Sequence, residues 1–137
     1  MIHHVALWTS DAERLRDFYC SFFGARAGER YENPAKGFVS YFVRFPGGRT
    51  ALEVMCRRGV DARVPGERLG YCHLAFARAS REEVCRLTEA LRAAGYPVLG
   101  EPRETGDGYF ESVVADPDGN RVELVFDPFP ADGARRK

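Results

Sequence analysis

Two stretches of the chain carry the same short apolar pattern, HHVALWT at 3–9 and YCHLAFA at 71–77, each with a histidine near its start. Their length and spacing predict strands. After each, the period lengthens to that of a helix. Leu15, Phe18, Tyr19, Phe22 and Phe23 form one apolar stripe, and Val84, Leu87 and Leu91 form another. Ser10 with Glu13, and Ser80 with Glu83, have capping-box spacing, while Gly24 and Gly95 stand where helices close. Helices are thus expected over about 11–23 and 81–94. The period then shortens to two. The first half continues as RAGERYE, GFVSYFVRF, a turn at PGG and TALEVMC; the second as YPVLGEP, YFESVVA, a turn at DPDGN and RVELVFD.

Each half therefore reads strand, helix, strand, strand, strand. This predicts an α+β protein made of two βαβββ modules, each a curved mixed sheet with a helix on its outer face, together enclosing a cavity. Module one is placed at 1–57, a polar linker with Pro65 and Gly66 at 58–69, and module two at 70–128. Residues 1–128 form a single domain on this reading, and 129–137 a flexible tail.

The repeat brings chemistry into register. His4 and His73 lie 69 positions apart, and Glu53 and Glu123 lie 70 apart. The histidines occupy equivalent places in the two first strands, and the glutamates in the two last strands. Side chains alternate faces along a strand. Val5 and Leu7, like Leu74 and Phe76, belong beneath the helix, which turns His4 and His73 toward the cavity. Leu52/Val54 and Val122/Leu124 oppose Glu53 and Glu123 in the same way. His3 falls on the other face from His4 and is read as the non-ligand of the pair, an assignment that a one-residue slip would reverse.

Two carboxylates in one concavity cost several kcal/mol each, as an order of magnitude, unless a countercharge is present. One divalent cation held by His4, Glu53, His73 and Glu123 supplies it. Imidazole nitrogen and carboxylate oxygen suit Zn, Ni, Co, Mn or Fe(II). Four protein ligands on a six-coordinate ion leave two positions for water or substrate.

Composition narrows the setting. The 137 residues suffice for one domain with a core, and 45% of them are apolar, but no apolar run is long enough to span a bilayer. Lys plus Arg equals Asp plus Glu at 20 each, so no basic footprint for nucleic acid is expected; the only basic cluster is the terminal ARRK. The N-terminus has no basic residue before its apolar stretch and no cleavage-site pattern after it, which reads as a cytoplasmic protein. Cys20, Cys56, Cys72 and Cys85 match no zinc motif and are expected to be buried, reduced thiols.

Several motifs carry a family resemblance over about 2–126. They are HHVAL followed by Asp11, Phe18-Tyr19 with Gly24, the histidine of CHLAF, and DPDGNRVEL at 116–124. The chain resembles the vicinal oxygen chelate superfamily, which includes glyoxalase I, extradiol dioxygenases, epimerases and fosfomycin- or bleomycin-resistance proteins. Within it, glyoxalase I is most similar. YENPAKGFVSYF at 31–42 and RRGVD at 57–61 also look like short bacterial glyoxalase I.

The resemblance implies a lactoylglutathione lyase-like metalloenzyme, with Zn or Ni the leading ions, acting as a homodimer on a small molecule. The substrate would present two adjacent oxygens, and an enediolate would form by proton removal. Glu123 is then the proton shuttle, with Glu53 a persistent ligand or second proton handler. Two positions depart from the family. Trp8 replaces an arginine and Arg57 an asparagine, both glutathione contacts in bacterial glyoxalase I. Trp8 is read as a cavity wall and Arg57 as an anchor for an anionic group, so the resemblance carries the metal set but not glutathione specificity. Another superfamily enzyme (dioxygenase, thiol transferase or epimerase) and a metal-free small-molecule binder remain the alternatives.

Overall fold

The computed structural model describes residues 1–67 and 69–129. The expected tail at 129–137 therefore lies, from residue 130 onward, outside the described residues. The chain divides into two compact units, Met1–Gly66 and Glu67–Lys137. The protein is α+β, as the alternating periods predict.

In the first unit, β1 (His4–Trp8) leads into α1 (Ala12–Phe23), then β2 (Arg26–Ala27), β3 (Tyr31–Asn33), a 3-10 turn (Pro34–Lys36), β4 (Phe38–Arg44) and β5 (Ala51–Arg57). The sheet order is β1-β5-β4-β2, with β3 also paired to β4. Only β1 and β5 run parallel. The expected single strand after α1 is thus two short ones, both paired with β4, and Gly28 N–H extends the first pairing to the Phe42 carbonyl at 2.8 Å. Helix α1 packs on β4 and β5 and buries Leu15, Phe18, Tyr19 and Phe23.

The second unit repeats the plan with β6 (His73–Ala77), α2 (Arg81–Ala93), β7 (Val98–Glu104), β8 (Phe110–Ala115) and β9 (Arg121–Phe126). Its sheet order is β6-β9-β8-β7, with β6 parallel to β9. Val84, Leu87 and Leu91 are buried as their spacing requires. Thr88 joins them, its hydroxyl 2.7 Å from both the Val84 carbonyl and the Ser112 Oγ of β8.

The helix caps differ. Ser80 accepts from the Glu83 N–H at 3.3 Å, and Glu83 reaches back to the Ala79 N–H at 3.0 Å, a reciprocal cap at the expected place. At α1 the cap is Asp11, not Ser10. The Asp11 carboxylate accepts from the Arg14 N–H at 2.9 Å, while Thr9 Oγ1 holds the Asp11 N–H at 3.1 Å. Starting the helix one residue later leaves Glu13 outside the cap, and Glu13 instead accepts from the Tyr41 hydroxyl at 2.9 Å. Gly24 closes α1 at φ +64°, a left-handed conformation that favours glycine.

The two hairpin turns set the register of the strands that follow. Gly48 N–H bonds the Phe45 carbonyl at 3.2 Å across the PGG turn. In the second turn, the buried Asp116 carboxylate accepts from the N–H groups of Asp118 (3.0 Å) and Asn120 (2.8 Å) and from the Asn120 side-chain amide (2.8 Å). All four cysteines are free thiols. Cys20, Cys56 and Cys85 are half-buried, but Cys72 is exposed, contrary to the expected burial, since it precedes β6 rather than lying on its covered face. Among the described residues no helix is long and apolar enough to cross a membrane.

Candidate metal centre

The four proposed ligands fall into two pairs, one in each unit, built alike. In the parallel ladders Glu53 stands opposite Ala6 and Glu123 opposite Ala75. Each glutamate thus faces the second residue beyond its histidine. The one-residue mismatch between the offsets of 69 and 70 is absorbed in connecting segments and leaves the register untouched. Alternation holds in both units. Leu52 and Val54 flank Glu53 as buried residues, and Val122 and Leu124 flank Glu123 the same way. His4, Ala6 and Trp8 are exposed while Val5 and Leu7 are half-buried, and β6 repeats that pattern.

The pairs also match in distance. His4 Nε2 lies 3.5 Å from Glu53 Oε2, and His73 Nε2 lies 3.4 Å from Glu123 Oε2. The glutamate side chains are only 17% and 14% exposed. A charge-assisted hydrogen bond would draw such atoms to about 2.7–2.9 Å. Two donors each about 2.1 Å from one ion, at angles of roughly 90–110°, stand about 3.0–3.4 Å apart. The spacing and the donor types therefore suit two ligands of a shared cation. Neither pair is a complete cage. Among the described residues no three His, Cys, Asp or Glu side chains group closely enough to hold a metal ion.

The two pairs differ in their surroundings. Burial pushes the Glu123 carboxyl above its ordinary range, and the neighbouring Glu111 carboxylate adds to the rise, while His73 and Arg103 oppose it. Arg103 is paired to Glu111 at 3.0 Å. In the first unit an aromatic ring takes the place that Val113 occupies in the second: Phe42 is opposite Glu53 on the ladder, and its ring meets His4 edge-on at 5.3 Å. His3 is also there. Alternation sends it to the far face, yet its Nδ1 lies 2.8 Å from His4 Nδ1. Its carbonyl still accepts from the Ala51 N–H at 2.9 Å, so His3 is tied to β5 by its backbone while its ring turns toward His4.

Trp8 and Arg57 are brought together. The Arg57 guanidinium lies 5.1 Å from the Trp8 ring centroid, in cation–π range, and Trp8 is 43% exposed. Phe38, the ladder partner of Arg57, meets Trp8 at 6.3 Å and Tyr31 at 6.0 Å. The corresponding positions in the second unit are Ala77 and Asp127, so this aromatic and cationic patch has no repeat. Phe42 and Phe38 were not singled out from sequence. Counting back from Glu53 and Arg57 across the PGG turn would have found both.

The family model of the Glyoxalase/Bleomycin resistance protein/Dioxygenase superfamily matches residues 1–124. The chain belongs to that superfamily. Among its relatives in the glyoxalase superfamily, the uncharacterized protein YqjT of Bacillus subtilis (strain 168) is 33% identical over 132 residues, covering 90% of this chain and 97% of YqjT. A Brassica oleracea var. gemmifera protein, provisionally named a lactoylglutathione lyase, is 31% identical over 126 residues, covering 89% of this chain but 43% of its own length. The crystal structure of glyoxalase I from Zea mays superposes with a TM-score of 0.75 at 26% identity, covering 90% of this chain and 43% of the maize chain. This superfamily member thus spans less than half of either plant protein and nearly all of the bacterial one.

Proposed function

We propose that the chain is a divalent-metal-dependent, glyoxalase I-like lyase/isomerase that moves a proton between adjacent carbons of a small oxygenated substrate. The observation that carries this reading is the twin His–Glu pair, two nitrogen–oxygen couples at one ladder register and one spacing in both units. His4, Glu53, His73 and Glu123 would hold the ion, with Zn or Ni the leading candidates. When bound, it supplies Lewis-acid stabilisation of the negative charge that develops on the substrate oxygens.

The chain's own groups do the rest. Glu123 takes the carbon-bound proton and returns it to the neighbouring carbon, as a carboxylate in a largely covered site can. Glu53 stays as ligand or second proton handler. His4 and His73 remain neutral donors. Trp8 offers an apolar wall, and Arg57, stacked on it, attracts an anionic arm of the substrate. Because both residues replace glutathione contacts of the similar bacterial enzymes, the thiol in a hemithioacetal of methylglyoxal need not be glutathione. The same reading takes the protein to be a cytoplasmic homodimer.

The test is metal analysis coupled to an isomerase assay. Purified protein loaded with Zn or Ni should hold about one equivalent per chain, the stoichiometry of one shared site. Methylglyoxal is then assayed with glutathione and with other low-molecular-weight thiols. Glu123→Gln should keep the metal and lose turnover by at least about 100-fold, the scale of a lost general base. A protein that takes up no metal under any loading condition overturns the reading.

A further inference from the structure

We propose that His3 is a positioning residue for His4, its Nδ1 accepting the His4 Nδ1–H and so leaving the His4 Nε2 lone pair free for a cation that His4 would share with Glu53. The proposal rests on the reading of His4 as a ligand, and it comes from geometry the strand pattern did not foresee. The two Nδ1 atoms lie 2.8 Å apart, a hydrogen-bond distance, and the rings meet edge-on at 5.1 Å. Phe42 touches both, at 5.3 Å from His4 and 6.5 Å from His3, again edge-on. The His3 ring is therefore held from the Phe42 side as well as by its partner.

A neutral imidazole carries one proton, so one nitrogen donates and the other accepts. A hydrogen bond between two Nδ1 atoms requires the proton on one of them. On His4 the choice has a consequence. With the proton on Nδ1, Nε2 is the bare nitrogen 3.5 Å from Glu53 Oε2, the form a metal ligand needs. With the proton on Nε2, His4 cannot donate to a cation there. Partners of this kind orient ligating histidines and fix their tautomer, and losing one costs about 10–100-fold in metal affinity. The second unit does not repeat the arrangement. The residue before His73 is Cys72, whose thiol is a weak acceptor.

Two measurements test this on the full chain. In the Zn-loaded protein, imidazole 15N–1H correlation spectra should show a His4 Nδ1–H shifted downfield by its hydrogen bond, and His3→Ala should remove that shift. In a competition titration of Zn against a chromophoric chelator, His3→Ala should bind about 10–100-fold more weakly. His3→Asn, whose side-chain oxygen can stand where Nδ1 stood, should bind within a few-fold of the native protein. Because His3 is exposed, the three proteins should share one melting temperature. A His4 Nδ1–H signal in the Zn-loaded protein that His3→Ala leaves unchanged overturns the proposal, as do equal Zn affinities for all three proteins. If none of them binds metal, the metal-centre reading fails and the proposal with it, whereas equal affinities overturn the proposal alone.

Discussion

Asp116 is where the second hairpin is anchored, and removing its carboxylate tests how the strand carrying Glu123 is held. Asp116 is 3% exposed. Its Oδ1 accepts from the N–H groups of Asp118 and Asn120, and its Oδ2 from the Asn120 amide, all at 2.8–3.0 Å. Asp116→Ala removes all three acceptor contacts. At about 1 kcal/mol each, and somewhat more because the acceptor is charged, the loss is roughly 2–4 kcal/mol after allowing for the buried charge that is also removed. The strand should not slip instead. Val122 and Leu124 are fully buried, and a one-residue slip would expose both, at roughly 2 kcal/mol each. Asp116→Asn keeps an oxygen for the two backbone N–H groups, and Asn120 can turn its amide over to accept from the new side chain. That variant should recover at least half of the loss.

The same pair of variants separates charge from hydrogen bonding. Burial pushes the Asp116 carboxyl above its ordinary value of 3.8, against the pull of its three donors. A carboxyl whose pKa is higher in the fold than in the unfolded chain binds its proton more tightly when folded. Stability is then greatest with the proton on, and falls as pH rises from the ordinary aspartate value through the raised one. Asparagine does not titrate. Urea unfolding followed by circular dichroism across this range should therefore show native stability declining relative to Asp116→Asn as pH rises. If the native protein instead gains on Asp116→Asn, the donors outweigh burial and the assignment of the shift is wrong. If Asp116→Ala costs less than about 1 kcal/mol, the turn does not depend on this carboxylate.

Two further expectations concern contacts that seat the helices. Thr88 and Ser112 share a hydrogen bond with neither residue exposed, so Thr88→Val and Ser112→Ala should each cost about 1–2 kcal/mol, and the double variant should cost less than their sum by at least about 0.5 kcal/mol; strict additivity in a double-mutant cycle would show that the pair does not act together. Tyr41→Phe deletes the hydroxyl that, more than Arg30, holds Glu13 below its ordinary value of 4.5. A depressed carboxylate contributes stability above its unfolded pKa and loses it as pH falls through the folded one. The variant should be about 1 kcal/mol less stable at neutral pH, discounted for the half-exposed glutamate, and the gap should close in acid. A gap independent of pH would mean that the hydroxyl acts through packing alone.

What could be read from the residues, and what could not, divides along one physical line. Strands with a single covered face tolerate one register, because a slip turns Leu52 and Val54, or Val122 and Leu124, out to water. Alternation therefore located both modules, both hairpins and the face on which His4, Glu53, His73 and Glu123 lie. Caps have no such margin. Ser10 and Asp11 are adjacent and chemically able to serve the same helix, and the choice fell to Thr9, which holds the Asp11 N–H. Alternation also does not fix where a ring turns at the start of a strand: His3 lies against His4 although its carbonyl bonds the Ala51 N–H. Side-chain neighbours across strands form a third level, legible only when the turn is counted through. That level separates the two His–Glu pairs most: Phe42 opposite Glu53 on one ladder, and Val113 opposite Glu123 on the other. The histidines and glutamates hold the same ladder positions in both units, while the residues around them differ. On the proposed function, the Trp8–Arg57 stack, whose counterparts in the second unit are Ala77 and Asp127, is where substrate specificity is to be tested.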